Sequence, residues 1–278
     1  MAAAPRFENP RGVTVSQNEE IFVADSCYGN NRIQVLNLRG EFERQFPTTI
    51  DPNDMAMDGA QNLWVVGRRV ADHRAVLVKY NQHGKELGSI LLEPEEKTGR
   101  DRGIAVDTRT NNIFVTETTG EKHNRKGKVR VFQPDGTELG TVPEQGVQQF
   151  LRALVTLTNP EYVVVNGNGD LLVSDWGTAR VFVFNPQNGR FLFRGQCVGP
   201  ESGDGQLKDP RGICTDGAGN IIVADQGDNR VKKFNNAGNY LGHIPVNVGE
   251  PLTVAMAPQG QLVVTDTANK TVTVFPNP

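Results

Sequence analysis

A short apolar strand that ends in a small residue and an acid recurs along this chain. It reads Ile21-Phe22-Val23-Ala24-Asp25, Ile113-Phe114-Val115-Thr116-Glu117, Leu171-Leu172-Val173-Ser174-Asp175, Ile221-Ile222-Val223-Ala224-Asp225 and Leu262-Val263-Val264-Thr265-Asp266. A sixth copy, Leu63-Trp64-Val65-Val66-Gly67, lacks the acid. The last positions, 25, 67, 117, 175, 225 and 266, are separated by 42, 50, 58, 50 and 41 residues. Periods of this size mark propellers or solenoids, because one unit cannot bury its apolar surface without a neighbour. The repeat therefore overrides the two-domain reading that a length of 278 residues would otherwise suggest.

The order of parts within a period is constant. Pro10-Arg11-Gly12-Val13-Thr14-Val15 opens the first, followed by a polar turn, the Ile21 to Asp25 strand, Asn31-Arg32-Ile33-Gln34-Val35-Leu36, a Gly40 turn and a last strand to Phe46. The fifth repeats it through Pro210-Arg211-Gly212-Ile213-Cys214-Thr215 and Asn229-Arg230-Val231-Lys232-Lys233-Phe234. Four strands with turns between them make one blade, and 30 Gly with 16 Pro supply the turns. The expected fold is all-β: one six-bladed β-propeller of four-stranded antiparallel blades around a central channel. Its blades span approximately 7–46, 49–92, 98–142, 150–194, 205–244 and 247–278, and residues 1–6 are available to complete the last. Strands are lettered a to d from the axis outward.

Composition narrows the function classes. The formal net charge of −3 means that affinity for a polyanion must come from a local patch, and no apolar run approaches a membrane span. Cys27, Cys197 and Cys214 are too few and scattered for a zinc module or a disulfide framework. The start Met1-Ala2-Ala3-Ala4-Pro5 lacks a secretory signal, so a cytoplasmic, monomeric domain is expected. His73, His83, His123 and His243 are not at metal-ligand spacing, and the a strands hold acids only at Asp54 and Glu161, near the channel mouth. No Gly-x-Ser-x-Gly elbow or phosphate loop occurs. No cofactor and no catalytic residue is expected. The Asp25–Arg32, Asp175–Arg180 and Asp225–Arg230 combinations, with Asp266 and Lys270 in the same slots, read as braces of the b-to-c loop.

These blades resemble the NHL repeat family, whose pattern of Pro-x-Gly-Val-Ala-Val, a strand ending in Asp, and Asn-x-Arg-Ile-x-Val-Phe is met almost in full by blades one and five. Blades two and three depart by longer b-to-c loops. The resemblance implies a recognition domain like the C-terminal propellers of tripartite-motif ubiquitin ligases, which recognise RNA on the b-to-c face in some members and protein in others. The ligase modules themselves would lie outside this chain.

Alternating strand directions put all b-to-c and d-to-a connections on one face. The b-to-c loops carry 11 cations against 3 acids, excluding the strand-ending acids, and 7 of the cations come from blades two and three. These are Arg68, Arg69, Arg74, Lys122, Arg125, Lys126 and Lys128. Nearer the axis, Arg11, Arg102 and Arg211 start the a strands of the odd-numbered blades, and Arg152 leads into blade four. Tyr28 and Trp176 add aromatic surfaces that stack bases. The expected partner is RNA, single-stranded or stem-loop. The alternatives are a protein recruited through the same loops, and a propeller hydrolase or lyase.

Overall fold

The structure is a computed structural model that describes residues 6–26, 29–92, 102–120, 124–143, 156–187, 190–197 and 203–276. Each blade is an antiparallel meander. Blade one holds β1 (Pro10–Val15), β2 (Ile21–Asp25), β3 (Arg32–Leu36) and β4 (Phe42–Pro47), and blade two β5 (Ile50–Met57), β6 (Leu63–Arg69), β7 (Ala75–Tyr80) and β8 (Glu86–Leu91). Blade three holds β9 (Ile104–Val106), β10 (Ile113–Thr119), β11 (Lys126–Phe132) and β12 (Glu138–Val142), and blade four β13 (Pro160–Val165), β14 (Leu171–Asp175), β15 (Arg180–Gln187) and β16 (Arg190–Cys197). Blade five follows with β17 (Pro210–Thr215), β18 (Ile221–Asp225), β19 (Arg230–Phe234) and β20 (Tyr240–Ile244). The sixth sheet has three described strands, β21 (Pro251–Met256), β22 (Leu262–Asp266) and β23 (Thr271–Phe275). Of the segment expected to complete it, residues 1–5 lie outside the described residues, while Phe7 packs at the junction of blades six and one.

The b strands are buried on both faces, which explains why they read as unbroken apolar runs. Successive side chains point to opposite faces, so Phe22 and Ala24 pack against blade two while Ile21 and Val23 pack against blade six. A buried apolar cluster occupies every junction between blades, including the one that closes the ring, where Val13 and Val23 meet Val263. Burying each Val, Ile, Leu or Phe contributes about 1.5–3 kcal/mol, so the ring is stabilised at its junctions. Thr265 Oγ1 adds a hydrogen bond across the closure to the Arg11 carbonyl at 3.0 Å.

The strand-ending acids brace the blades differently from the expected pairs. The four aspartates each accept the N–H groups of two consecutive residues ahead of their own a strand: Glu8 and Asn9 donate to Asp25, Thr158 and Asn159 to Asp175, Lys208 and Asp209 to Asp225, and Gly249 and Glu250 to Asp266, whereas Glu117 in blade three is met by the side chains of Arg102 and Lys128. At Asp175 burial dominates and raises the carboxyl above its ordinary range. At Asp266 burial acts the same way but is outweighed by the N–H groups of Gly249, Asn269 and Glu250, which hold it low. Arg32 does pair with Asp25 at 2.8 Å. In blade five the cation on Asp225 is instead Lys232 at 2.8 Å, while Arg230 reaches Asp228 at 4.0 Å. Lys270 sits one residue outside the slot, since Asp266 faces Thr271 in the ladder. In blade two, where Gly67 replaces the acid, β5 begins two residues before Pro52, and backbone pairing of Asp51 with Arg68 continues the ladder.

Candidate functional site

The start of each a strand determines what faces the axis. The ladder between strands a and b is irregular just after the leading proline in blades one, two, four, five and six, and such bulges re-aim side chains. The residue after each proline, or its counterpart in blade three, lines the channel mouth: Arg11, Asn53, Arg102, Glu161, Arg211 and Leu252. One position further on, the odd blades carry Gly12, Gly103 and Gly212, and the even blades Asp54, Tyr162 and Thr253. The glycines are required by close approach. A Cβ on Gly12 would stand 2.5 Å from the Asp54 Cα, and one on Gly103 2.7 Å from the Tyr162 Cα.

The three larger side chains fill the axis. The Tyr162 hydroxyl accepts a 3.1 Å hydrogen bond from Thr253 Oγ1, and Tyr162 separates the mouth from a second chamber on the other side. Asp54 lines that inner chamber and accepts the Ile104 N–H at 3.0 Å. Its burial, assisted by the charge of Glu161, pushes its carboxyl up to about 7 against the opposing N–H groups of Ile104 and Met55. Burial, then the nearby Glu161 and Asp54, also hold the Tyr162 hydroxyl far above its ordinary value.

Around the mouth, Arg211 pairs with Glu161 and with Asp209 at 3.0 Å. Burial opposes its charge, but these two carboxylates outweigh it and raise its pKa. Arg102 is only 4% exposed and contacts Glu117 at 3.4 Å. Burial lowers its pKa, against the pull of Glu117, with Arg130 and Arg68 adding to the lowering. Trp176, 37% exposed on the turn between β14 and β15, joins three blades. The Arg125 guanidinium lies 5.8 Å from its ring centroid and that of Arg211 lies 5.3 Å from it, both within cation–π range. Arg125 also donates to Asn159 Oδ1 at 2.8 Å.

The remaining expected residues divide by partner. Arg68 is the penultimate residue of β6 and Arg125 precedes β11, so both lie at the b-to-c end of their blades, on the same rim as the mouth. Arg69 pairs with Asp72 at 3.2 Å, and Lys128 with Glu117 at 2.9 Å. Lys126 is exposed and Arg74 half-buried beside β7. Tyr28, Lys122 and Arg152 lie outside the described residues. Asn53, Tyr162, Gln226 and Thr267 stand at the mouth beside the expected arginines; an alignment of the two residues that follow Pro10, Pro52, Pro160, Pro210 and Pro251 brings out the first two. Among the described residues, no group of three His, Cys, Asp or Glu side chains is placed to hold a metal ion, and no helix is long and apolar enough to cross a membrane.

The NHL repeat family matches residues 7–36, 207–234 and 249–275, which cover the a-to-c portions of blades one, five and six. The chain carries NHL repeats in a six-bladed propeller. Protein brain tumor of Drosophila melanogaster is 29% identical over 120 residues, a segment covering 40% of this chain but only 11% of that protein. Among solved structures, a gluconolactonase from Xanthomonas campestris superposes with a TM-score of 0.72 at 18% identity, over 98% of this chain and 87% of that one. A luciferin-regenerating enzyme gives a TM-score of 0.71 at 12% identity, covering 96% and 86%, and a streptogramin B lyase 0.60 at 15%, covering 98% and 84%. At such identities these neighbours share the propeller fold with this chain, and nothing further is carried by the likeness.

Proposed function

We propose that the mouth-side face recognises RNA, with an unpaired base stacked on Trp176 and phosphates held by Arg68, Arg69, Arg74, Arg125 and Lys126. The observation that carries this reading is the Trp176 surface flanked by Arg125 and Arg211 at 5.8 and 5.3 Å. An indole beside guanidinium groups offers a base a stacking plane and its phosphate a charge-assisted hydrogen bond. The NHL repeats support a recognition role over a catalytic one. Recruitment of a protein substrate for a ubiquitin ligase through the same loops is the other recognition function open to such a propeller.

The test is a mobility shift with single-stranded and stem-loop RNA. Arg68→Glu combined with Arg125→Glu removes the shift on this reading. A pull-down partner that survives nuclease treatment, together with RNA binding unchanged in the double variant, would establish the protein-recruiting reading instead.

A further inference from the structure

The axial mouth is a built cavity of about 210 Å³, and its chemistry is distinct from that of the basic rim. Three guanidiniums line it from alternate blades, Arg11 and Arg211 at the bulged starts of their a strands and Arg102 at the corresponding position of blade three. Between them lie neutral hydrogen-bonding groups, among them Asn53, Gln226 and Thr267. The volume is below the ~300–1,000 Å³ of pockets that enclose drug-sized ligands, so it suits a small ion better than a base or a peptide side chain with its flanking backbone.

Arg102 supplies the sign. A guanidinium has five N–H donors, yet among the described residues the acceptor found for Arg102 is one oxygen, Glu117 Oε1, at 3.4 Å from both Nη atoms. Glu117 is itself shared: Lys128 takes its other oxygen at 2.9 Å, and Arg130 approaches at 3.9 Å. Arg102, 4% exposed, lines the mouth while sharing Glu117 with two other cations, so its guanidinium presents positive charge to an incoming anion. Glu161 stands in the same mouth, but its carboxylate is engaged by Arg211.

We propose that the mouth binds one small phosphate-class dianion, through Arg102 with Arg11 and Arg211, either as free phosphate or as a terminal phosphomonoester. The proposal does not depend on RNA binding by the rim.

Calorimetric titration of the whole chain with inorganic phosphate tests it. One equivalent binds saturably, and Arg102→Gln weakens binding at least tenfold. Thr267→Glu, which places a negative charge at the mouth without removing an ion pair, does the same, so misfolding of the arginine variant would not leave the matter open. A dinucleotide with a 5′-phosphate that binds more tightly than inorganic phosphate, while its 5′-hydroxyl counterpart does not compete, identifies a chain end as the source; equal affinities identify the free ion. Absence of saturable binding at millimolar phosphate, or affinity unchanged in Thr267→Glu, overturns the proposal.

Discussion

Arg211 meets Trp176 with its guanidinium carbon 5.3 Å from the indole centroid, although the two residues belong to neighbouring blades. The same guanidinium is fixed by Glu161 and Asp209, so the indole rests against a cation that has little freedom to move.

Trp176 therefore reports directly on ligand. The chain has two tryptophans, and Trp64 is buried against Lys79. Adding single-stranded RNA should quench the fluorescence of the wild type and of Trp64→Phe, but not of Trp176→Phe. Trp176→Ala should weaken RNA binding by about 1–3 kcal/mol, the usual contribution of one stacked base. Quenching that persists in Trp176→Phe would place the bound base elsewhere.

Asp54 gives the channel a pH signature. Its carboxyl ordinarily titrates at 3.8 and is pushed to about 7 in the folded protein. Between those values the folded state keeps a proton that the unfolded chain has lost, so this group's contribution is fully present below pH 3.8 and is lost as pH rises to about 7. The full change amounts to about 4 kcal/mol. Asp54→Asn should accordingly be more stable than the wild type at pH 8, with the difference shrinking toward pH 4.5. Parallel Tm profiles for the two proteins would contradict the assignment.

Lys232, fully buried between Asp225 and Asp228 at 2.8 Å from each, is the brace of blade five. Lys232→Met should cost about 3–5 kcal/mol in urea unfolding, because it leaves Asp225 buried without its cation. Arg230→Ala should cost less than about 1 kcal/mol. The reverse ranking would restore the Asp225–Arg230 brace that the sequence pattern suggests.

Close approach at the axis makes its own prediction. Gly103→Ala places a Cβ 2.2 Å from the Glu161 carbonyl oxygen, while Gly88, on outer strand β8, has nothing within 4 Å of the same atom. Thermal unfolding should show Gly103→Ala destabilised by about 1–3 kcal/mol or more and Gly88→Ala nearly neutral.

The repeat made the ring legible because b strands buried on both faces must be apolar throughout, and their acids recur where the chain turns. The position of Arg11, Arg102 and Arg211 near the axis followed from the same alignment. Their partners did not, because contacts such as Arg102 with Glu117 join strands a and b across the sheet. Alternation also could not choose between Arg230 and Lys232: residues two apart share a face, and only the depth of Asp225 decides which of them reaches it. The filling of the channel by Asp54, Tyr162 and Thr253 was hidden for a related reason. Each is unremarkable in its own blade, and their convergence exists only in the closed ring.

The recognition reading is tested most directly by fluorescence polarisation of a labelled single-stranded RNA across a salt series. Contacts from about five rim cations predict that log affinity falls with log salt at a slope of about −3.5, and that Arg68→Glu with Arg125→Glu removes measurable binding. Affinity independent of salt, or a slope unchanged in the double variant, would contradict the account.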